Sequence, residues 1–162
     1  MELSSFEPLV LSLADALRAR GWRMAAAESC TGGLIAAACT AVAGSSDWFE
    51  RGLVSYSNEA KAELLGVPPA LIAAHGAVSE EVALAMAQGA LSHAPVQLAV
   101  AVTGIAGPGG AVPGKPVGTV WLAWGQGGAL HAERLQLPGD RTAVRGATVQ
   151  AALQRLLETA RA

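Results

Sequence analysis

The sequence has little of several residue types, and each scarcity excludes a class of protein. Aromatic residues make up 4% of the 162 residues, and only two residues are lysines. The formal net charge is −2, and the arginines are scattered along the chain. Nucleic-acid binding leaves a basic stripe with interleaved aromatic side chains, so we expect no nucleic-acid partner. A small ligand with one phosphate is compatible with the chain, because one or two arginines and a helix N-terminus suffice to hold it.

Long apolar runs and export signals are also missing. No run approaches the ~18 apolar residues that a membrane-spanning helix needs, although hydrophobic residues make up 52% of the chain. The N-terminus lacks the basic and then apolar segments of a secretory signal. Cys30 and Cys39 fall in one predicted turn–helix unit and look like reduced thiols. These features predict a cytoplasmic protein without a membrane partner.

Several well-known motifs are absent as well. The sequence contains no Gly-x-Ser-x-Gly elbow, no Walker loop, and no Gly-x-Gly-x-x-Gly after the first predicted strand. No His, Cys and Asp cluster has the spacing of a metal site, and we expect neither a metal nor another cofactor. The three histidines are poorly placed to serve as a base, since His75 and His93 fall at predicted helix ends and His131 within a late strand.

What the chain does have is an alternation of strands and helices. Patterns typical of strands cover residues 23–27, 52–56, 97–102, 117–124 and 129–137. Helical patterns separate the first three strands and stand at both ends of the chain, and the last two strands form a hairpin. This order predicts an α/β fold, a three-layer α/β/α sandwich with a mixed, mostly parallel central sheet.

The first predicted strand ends in a stretch that suggests chemistry, Glu28–Gly33. A strand–turn–helix of this kind presents a hydroxyl above the sheet edge and aims unpaired backbone N–H groups at a ligand. Its adjacent glycines allow the ligand a close approach. We interpret Ser29 as a nucleophile beside an anion site, although an ordinary helix cap with a glycine turn explains the stretch by itself equally well. Tyr56 ends the second predicted strand and Thr103 directly follows the third, so we expect all three at one edge of the sheet, where ligands collect.

A serine nucleophile needs a base, and Lys61 is the candidate. It lies one turn into the helix that follows the second predicted strand, so its amine can reach back over the sheet edge toward Ser29. The alternative is a surface lysine paired with Glu59 or Glu63, which the position of Lys61 by itself favours.

A lysine acts as a base only where its pKa falls from about 10.4 toward ~8. We expect Arg141, or an apolar wall formed by Trp48 and Phe49, to lower the pKa of Lys61. Cys30 is interpreted as a small packing residue instead of the nucleophile, because no histidine partner is near it in sequence.

Seven motifs along the chain are similar, in identity and order, to those of one family. They are AESCTGG (27–33), GSS (44–46), YSNEAK (56–61), HGAVS (75–79), TGIAGP (103–108), KPVGTV (115–120) and GDR (139–141). The chain thereby resembles the CinA C-terminal domain family, which includes bacterial nicotinamide mononucleotide amidases. The match runs from about Ala25 to Arg145 and is specific, because so many motifs are in register.

The resemblance implies an activity and a mechanism. The activity is hydrolysis of the carboxamide of nicotinamide mononucleotide to nicotinic acid mononucleotide and ammonia, as part of pyridine nucleotide recycling. The mechanism is a serine–lysine one, with Ser29 as nucleophile and Lys61 as base. Tyr56 and Thr103 are implied to assist proton transfer or to orient the lysine and the substrate.

The resemblance further implies substrate contacts around the same turns, from Cys30, Thr31, Gly32, Gly33, Asn58, Gly104, Ala106 and Gly107. Backbone N–H groups near 30–33 or 104–107 are implied to bind the oxyanion. Arg141 is the implied phosphate partner, with Arg145 one helical turn on as second choice. A homodimer is also implied. Many members carry an additional N-terminal pyrophosphatase domain. Because no such domain is seen in this sequence, residues 1–162 are expected to be a single, stand-alone CinA C-terminal-like amidase domain.

Two other functions are compatible with the sequence. A non-catalytic pyridine-nucleotide-binding module of the same fold would use the same glycine-rich turns, which bind phosphate whether or not chemistry follows. An amidase for another small amide would lose almost nothing when the phosphate is removed from its substrate.

Overall fold

A five-stranded sheet forms the middle layer of the molecule, which the computed structural model describes from Met1 to Ala162. Its strands are β1 (Met24–Glu28), β2 (Phe49–Val54), β3 (Leu98–Gly104), β4 (Thr119–Gln126) and β5 (Ala129–Gln136). In the order β2-β1-β3-β4-β5, the first two pairings are parallel and the last two antiparallel. Only β4 therefore runs against the other strands, and the predicted mixed, mostly parallel sheet is confirmed.

Six α-helices cover both faces of this sheet. They are α1 (Glu7–Arg20), α2 (Leu34–Thr40), α3 (Asn58–Leu65), α4 (Pro69–His75), α5 (Glu80–His93) and α6 (Arg141–Arg161). Helices α1, α2 and α6 pack on one face, and α3, α4 and α5 pack on the other. The predicted three-layer α/β/α sandwich is thus confirmed. No helix has both the length and the apolar character that crossing a membrane requires.

The two faces of the sheet differ in side-chain size. Along β1 and β3, the buried residues facing α1 and α6 include Met24, Leu98 and Val100. The residues facing α5 are alanines, as at Ala25 and Ala99, because successive side chains point to opposite faces. Small side chains let α5 lie close to the sheet, and Gly89 lets α3 lie close to α5.

The register of the parallel strands aligns their carboxyl ends. Glu28 lies opposite Val54 of β2 and Val102 of β3. The residues that follow these three positions therefore share one edge of the sheet, as predicted for Ser29 and Thr103.

The second strand differs from its predicted range. It covers Phe49–Val54 instead of 52–56, because its ladder begins where Phe49 pairs with Met24. Tyr56 consequently lies in the connection to α3 and not in the strand. The predicted apolar wall of Trp48 beside Lys61 is wrong, because the Trp48 side chain is fully buried in the core beneath α1 and α6.

We expect Gly89→Ala to destabilise the fold, because a Cβ at this position of α5 would lie 2.1 Å from the Leu65 carbonyl oxygen of α3. Overpacking of this kind costs about 1–3 kcal/mol of unfolding free energy, measurable by urea denaturation. Gly127→Ala in the β4–β5 turn is the control, since no heavy atom lies within 4 Å of its added Cβ. Equal stability of the two variants would contradict close packing of α3 on α5.

Candidate active site

A buried carboxylate holds the turn that follows β1. The Glu28 side chain is fully buried and accepts hydrogen bonds from Thr31 Oγ1 at 2.6 Å, Ile35 N at 2.8 Å and Ala36 N at 3.0 Å. The two amides belong to the first turn of α2, where helical N–H groups lack partners and negative charge is stabilised. Glu28 therefore fixes Thr31 and the start of α2 relative to Ser29.

Two glycines complete this turn in a conformation that other residues rarely adopt. Gly32 and Gly33 have φ angles of 58° and 104°, both in the left-handed region. Gly33 occupies the N-cap position of α2. Their role in this structure is to shape the turn.

Ser29 and Lys61 meet at the carboxyl edge of the sheet. The Ser29 amide donates to Val102 O at 3.1 Å, which anchors the residue on β3. Lys61 Nζ lies 3.0 Å from Ser29 Oγ and 3.1 Å from each of the carbonyl oxygens of Ser55 and Tyr56. The Ser57 hydroxyl caps α3 by accepting from Ala60 N, and this sets Lys61 one turn into the helix.

The environment of Lys61 disfavours its charged form. Its side chain is only 1% exposed, and this burial lowers the pKa of the amine because desolvation penalises the ammonium ion. The prediction that Arg141 or a Trp48–Phe49 wall lowers the pKa of Lys61 is wrong. Burial of the amine lowers this pKa, and Trp48 packs in the core.

The alternative reading of Lys61 as a surface residue is also wrong. The side chain is buried and forms no ion pair with Glu59, with Glu63 or with any other carboxylate. A buried lysine without a counter-ion is uncommon outside functional sites.

Thr103 and Tyr56 contribute to the same edge in different ways. Thr103 is 1% exposed, and its hydroxyl donates to Ala77 O at 2.9 Å. Tyr56 offers its carbonyl to Lys61, while its ring is 61% exposed and its hydroxyl accepts from Arg141 Nη2 at 3.3 Å. Arg141 Nη1 also donates to Gly107 O at 2.9 Å. Arg141 therefore links the chain after β2 to the chain after β3.

These side chains surround a cavity of about 190 Å³. Nine of the residues singled out in the sequence line it: Ser29, Cys30, Tyr56, Asn58, Lys61, Thr103, Gly104, Ala106 and Arg141. Five others do not, namely Thr31, Gly32, Gly33, Gly107 and Arg145. Ala77 and Val78 complete the wall; they belong to the HGAVS motif but were not singled out as site residues.

Arg145 lies behind the turn and not in the cavity. It donates from Nε to Cys30 O at 3.1 Å and from Nη2 to Thr31 O at 3.2 Å. Cys30 itself is buried, and this burial raises the pKa of its thiol to about 12. A thiol with such a pKa is a poor nucleophile, in keeping with its interpretation as a packing residue.

Sequence reasoning missed the structural role of Glu28. The signal was present, because a charged residue directly continues an otherwise apolar strand and stands three residues before a threonine. A carboxylate in that place is buried with the strand and must find donors nearby. The structure places no group of three or more His, Cys, Asp or Glu side chains so that they could hold a metal ion.

The sequence matches one protein family over nearly its whole length. The sequence model of the family described as CinA C-terminal domain matches residues 6–160. The chain is 54% identical to the nicotinamide-nucleotide amidohydrolase PncC of Pseudomonas putida over 150 residues, 93% of this chain and 94% of that protein. It is 58% identical over 141 residues to a CinA-like protein of Geobacter sp. (strain M21), covering 87% of this chain but only 34% of that relative.

A solved structure agrees with this match. The competence/damage inducible protein CihA from Agrobacterium tumefaciens superposes with a TM-score of 0.92 at 44% sequence identity. The alignment covers 95% of this chain and 94% of that one. The fold described above is therefore shared with an experimentally determined structure.

We expect Glu28→Gln to lower the unfolding free energy by about 1–3 kcal/mol, because an amide nitrogen would face a backbone N–H that now has an acceptor. Urea denaturation measures the loss. Glu63→Gln on the exposed face of α3 serves as the control, with a change below about 0.5 kcal/mol. A Glu28→Gln protein as stable as the wild type would show that the carboxylate does not hold the turn.

Proposed function

This chain belongs to the CinA C-terminal domain family, and on that premise we propose that it is an amidohydrolase acting on nicotinamide mononucleotide. It converts the carboxamide to a carboxylate, producing nicotinic acid mononucleotide and ammonia. The similarity to the nicotinamide-nucleotide amidohydrolase of P. putida supports this substrate. The observation that carries the chemistry is the 3.0 Å contact between Lys61 Nζ and Ser29 Oγ in a buried site.

The three contacts of Lys61 support its role as a base. A neutral amine has two N–H bonds and one lone pair. The carbonyl oxygens of Ser55 and Tyr56 can only accept, so they take both N–H bonds. The lone pair is then directed at the third neighbour, the Ser29 hydroxyl. The lowered pKa of Lys61 increases the neutral fraction that this role requires.

The reaction proceeds through two tetrahedral intermediates. Lys61 takes the proton of Ser29 Oγ as this oxygen attacks the carboxamide carbon. The protonated lysine then returns that proton to the amide nitrogen, the C–N bond breaks, and ammonia leaves an ester on Ser29. A water molecule, deprotonated by Lys61, attacks the ester. The protonated lysine then gives this proton to Ser29 Oγ as the bond from Ser29 to the substrate carbon breaks, and the carboxylic acid product ionises by releasing its remaining proton to solvent.

The backbone amides of Cys30 and Ala106 bind the oxyanion of these intermediates. The N–H groups of Cys30 and Ala106 donate to no acceptor within the protein, and both residues line the cavity beside Ser29. Donors arranged in advance around a developing negative charge contribute strongly to catalysis. Of the two ranges that the family resemblance implies, each thus supplies one donor.

Thr103 orients the carboxamide. Because its hydroxyl hydrogen is already donated to Ala77 O, the Thr103 oxygen is left as an acceptor for the substrate NH₂ group. Tyr56 acts mainly through its carbonyl, which holds the Lys61 amine in place.

The phosphate lies at the mouth of the cavity. A volume of about 190 Å³ is below the roughly 300–1,000 Å³ of pockets that enclose a whole drug-sized ligand, so the cavity encloses only the carboxamide end. Arg141 lines the opening at the N-terminus of α6, where both its charge and the helix dipole favour a phosphate. Asn58 is exposed at the same opening.

The enzymatic function is preferred to a binding module for a physical reason. Burying a lysine costs stability, and binding a nucleotide does not require a buried amine beside a hydroxyl. The homodimer, the place in pyridine nucleotide recycling and the assignment of residues 1–162 to one amidase domain stay predictions from the family resemblance.

We expect Ser29→Ala and Lys61→Arg each to lower kcat by about 10³-fold or more, because one removes the nucleophile and the other a base that can lose its proton. Formation of ammonia and nicotinic acid mononucleotide from nicotinamide mononucleotide is the measurement. Ser92→Ala, at an exposed position of α5, is the matched control and should retain full activity. Wild-type turnover in both site variants would end the proposal.

We expect kcat to rise with pH through the pKa of Lys61, because only the neutral amine accepts the Ser29 proton. Burial lowers this pKa below the ordinary value of 10.5, so the rise should be complete at a lower pH than for a free lysine. The measurement is kcat at saturating substrate across pH, with circular dichroism to show that the fold persists. A rate that increases only above pH 10.5 would contradict the lowered pKa.

A further inference from the structure

Arg145 has a different environment from its neighbour Arg141, although both arginines lie in the first turns of α6. Arg141 lines the cavity, whereas Arg145 does not. The Arg145 guanidinium is half-buried and donates to the carbonyl oxygens of Cys30 and Thr31. It forms no ion pair with a carboxylate. Its charge is therefore directed at the backbone of the turn that carries Ser29.

The bond to Thr31 O fixes the amide on the other side of the same peptide group. A trans peptide is planar, with its C=O and N–H pointing in opposite directions. When Arg145 holds Thr31 O, the Gly32 N–H must point away from α6. In the structure this N–H donates to Ser29 O at 3.1 Å.

The same geometry carries the constraint one peptide further. Ser29 O accepts from Gly32 N. The Cys30 N–H belongs to the same peptide group as Ser29 O and must therefore point away from Gly32. This is the amide that donates to no acceptor in the protein. The orientation of the free Cys30 amide is thus set by contacts that begin at Thr31 O, which accepts from both Arg145 Nη2 at 3.2 Å and Leu34 N at 3.1 Å.

We infer that Arg145 is a positioning residue: by holding the carbonyl oxygens of Cys30 and Thr31, it fixes the Cys30 amide as an oxyanion donor. The inference rests on the proposed function, since an oxyanion forms only when Ser29 attacks a carbonyl group. An arginine suits this role because its planar fork presents two parallel donors. Its charge also polarises the Thr31–Gly32 peptide group, and the Gly32 N–H passes this polarisation to the Ser29–Cys30 peptide group by donating to Ser29 O, which makes the Cys30 N–H a better donor.

The proposal separates Arg145 from the phosphate of the substrate. We expect Arg145→Gln to lower kcat about tenfold to a hundredfold, the range expected when an oxyanion donor is weakened or misplaced, with little change in KM. The loss should be equal for nicotinamide mononucleotide and for nicotinamide riboside, which lacks the phosphate. Arg141→Gln should instead lower kcat/KM much more for the mononucleotide than for the riboside. A loss in Arg145→Gln that disappears with the riboside would overturn the proposal.

Two further variants exclude a merely structural effect. Arg155→Gln removes another arginine of α6, one that joins this helix to β5 through Glu133; it should leave kcat unchanged. Arg145→Lys keeps the positive charge and one donor nitrogen, and it should retain more activity than Arg145→Gln on both substrates. Thermal denaturation of all variants shows whether they are folded at the assay temperature. If Arg145→Gln is unfolded there, the comparison is made with Arg145→Lys against the wild type.

Labelling of Ser29 by a fluorophosphonate tests the inference without the nucleotide. This reagent reacts with an activated serine, and its phosphoryl oxygen needs the same amide donor. We expect slower labelling of Arg145→Gln than of the wild type. A wild-type protein that is labelled but does not hydrolyse nicotinamide mononucleotide would refute the proposed substrate and leave this inference standing. Labelling of Arg145→Gln at the wild-type rate would overturn the inference itself.

Discussion

The site depends on an amine that is buried without a counter-ion. Lys61 is almost fully excluded from solvent, and its nitrogen is surrounded by two carbonyl oxygens and one hydroxyl. In that environment a permanent positive charge is costly, whereas a neutral amine satisfies all three neighbours. The connection from β2 to α3 supplies both carbonyls, and the serine cap of α3 sets the distance to Ser29. Local chain geometry thus determines the protonation chemistry.

The turn that carries Ser29, the partner of the Lys61 amine, is held from two sides. Glu28 binds the amides of α2 and the hydroxyl of Thr31 from within the core. Arg145 binds the carbonyl oxygens of the turn from α6. Glu28 therefore accepts hydrogen bonds from donors of the turn and of α2, and Arg145 donates hydrogen bonds to acceptors of the turn. The short segment between them has little freedom left, which suits a hydroxyl that must stay within one hydrogen bond of its base.

Much of this architecture could be predicted from the sequence, because periodicity and turn chemistry are local signals. The three-layer fold, the strand before Ser29 and the helix that carries Lys61 are of this kind. The sequence predicts a lowered pKa for Lys61 but attributes it to the wrong residues. The desolvation of the amine comes from the packing of segments that are distant in sequence. The bounds of β2 depend on pairing with β1, and the roles of Glu28 and Arg145 depend on contacts with the turn. Such properties arise only when the layers assemble.

The alanines of β1 and β3 that face α5 have a consequence for how the protein tolerates change. On the opposite face, larger aliphatic side chains can be exchanged for others of similar volume, and their neighbours can repack. An alanine layer has no such freedom, because every exchange except that for glycine adds volume and pushes a helix outward. Sequence drift and stability engineering should therefore be concentrated beneath α1 and α6, while the layer beneath α5 stays nearly invariant.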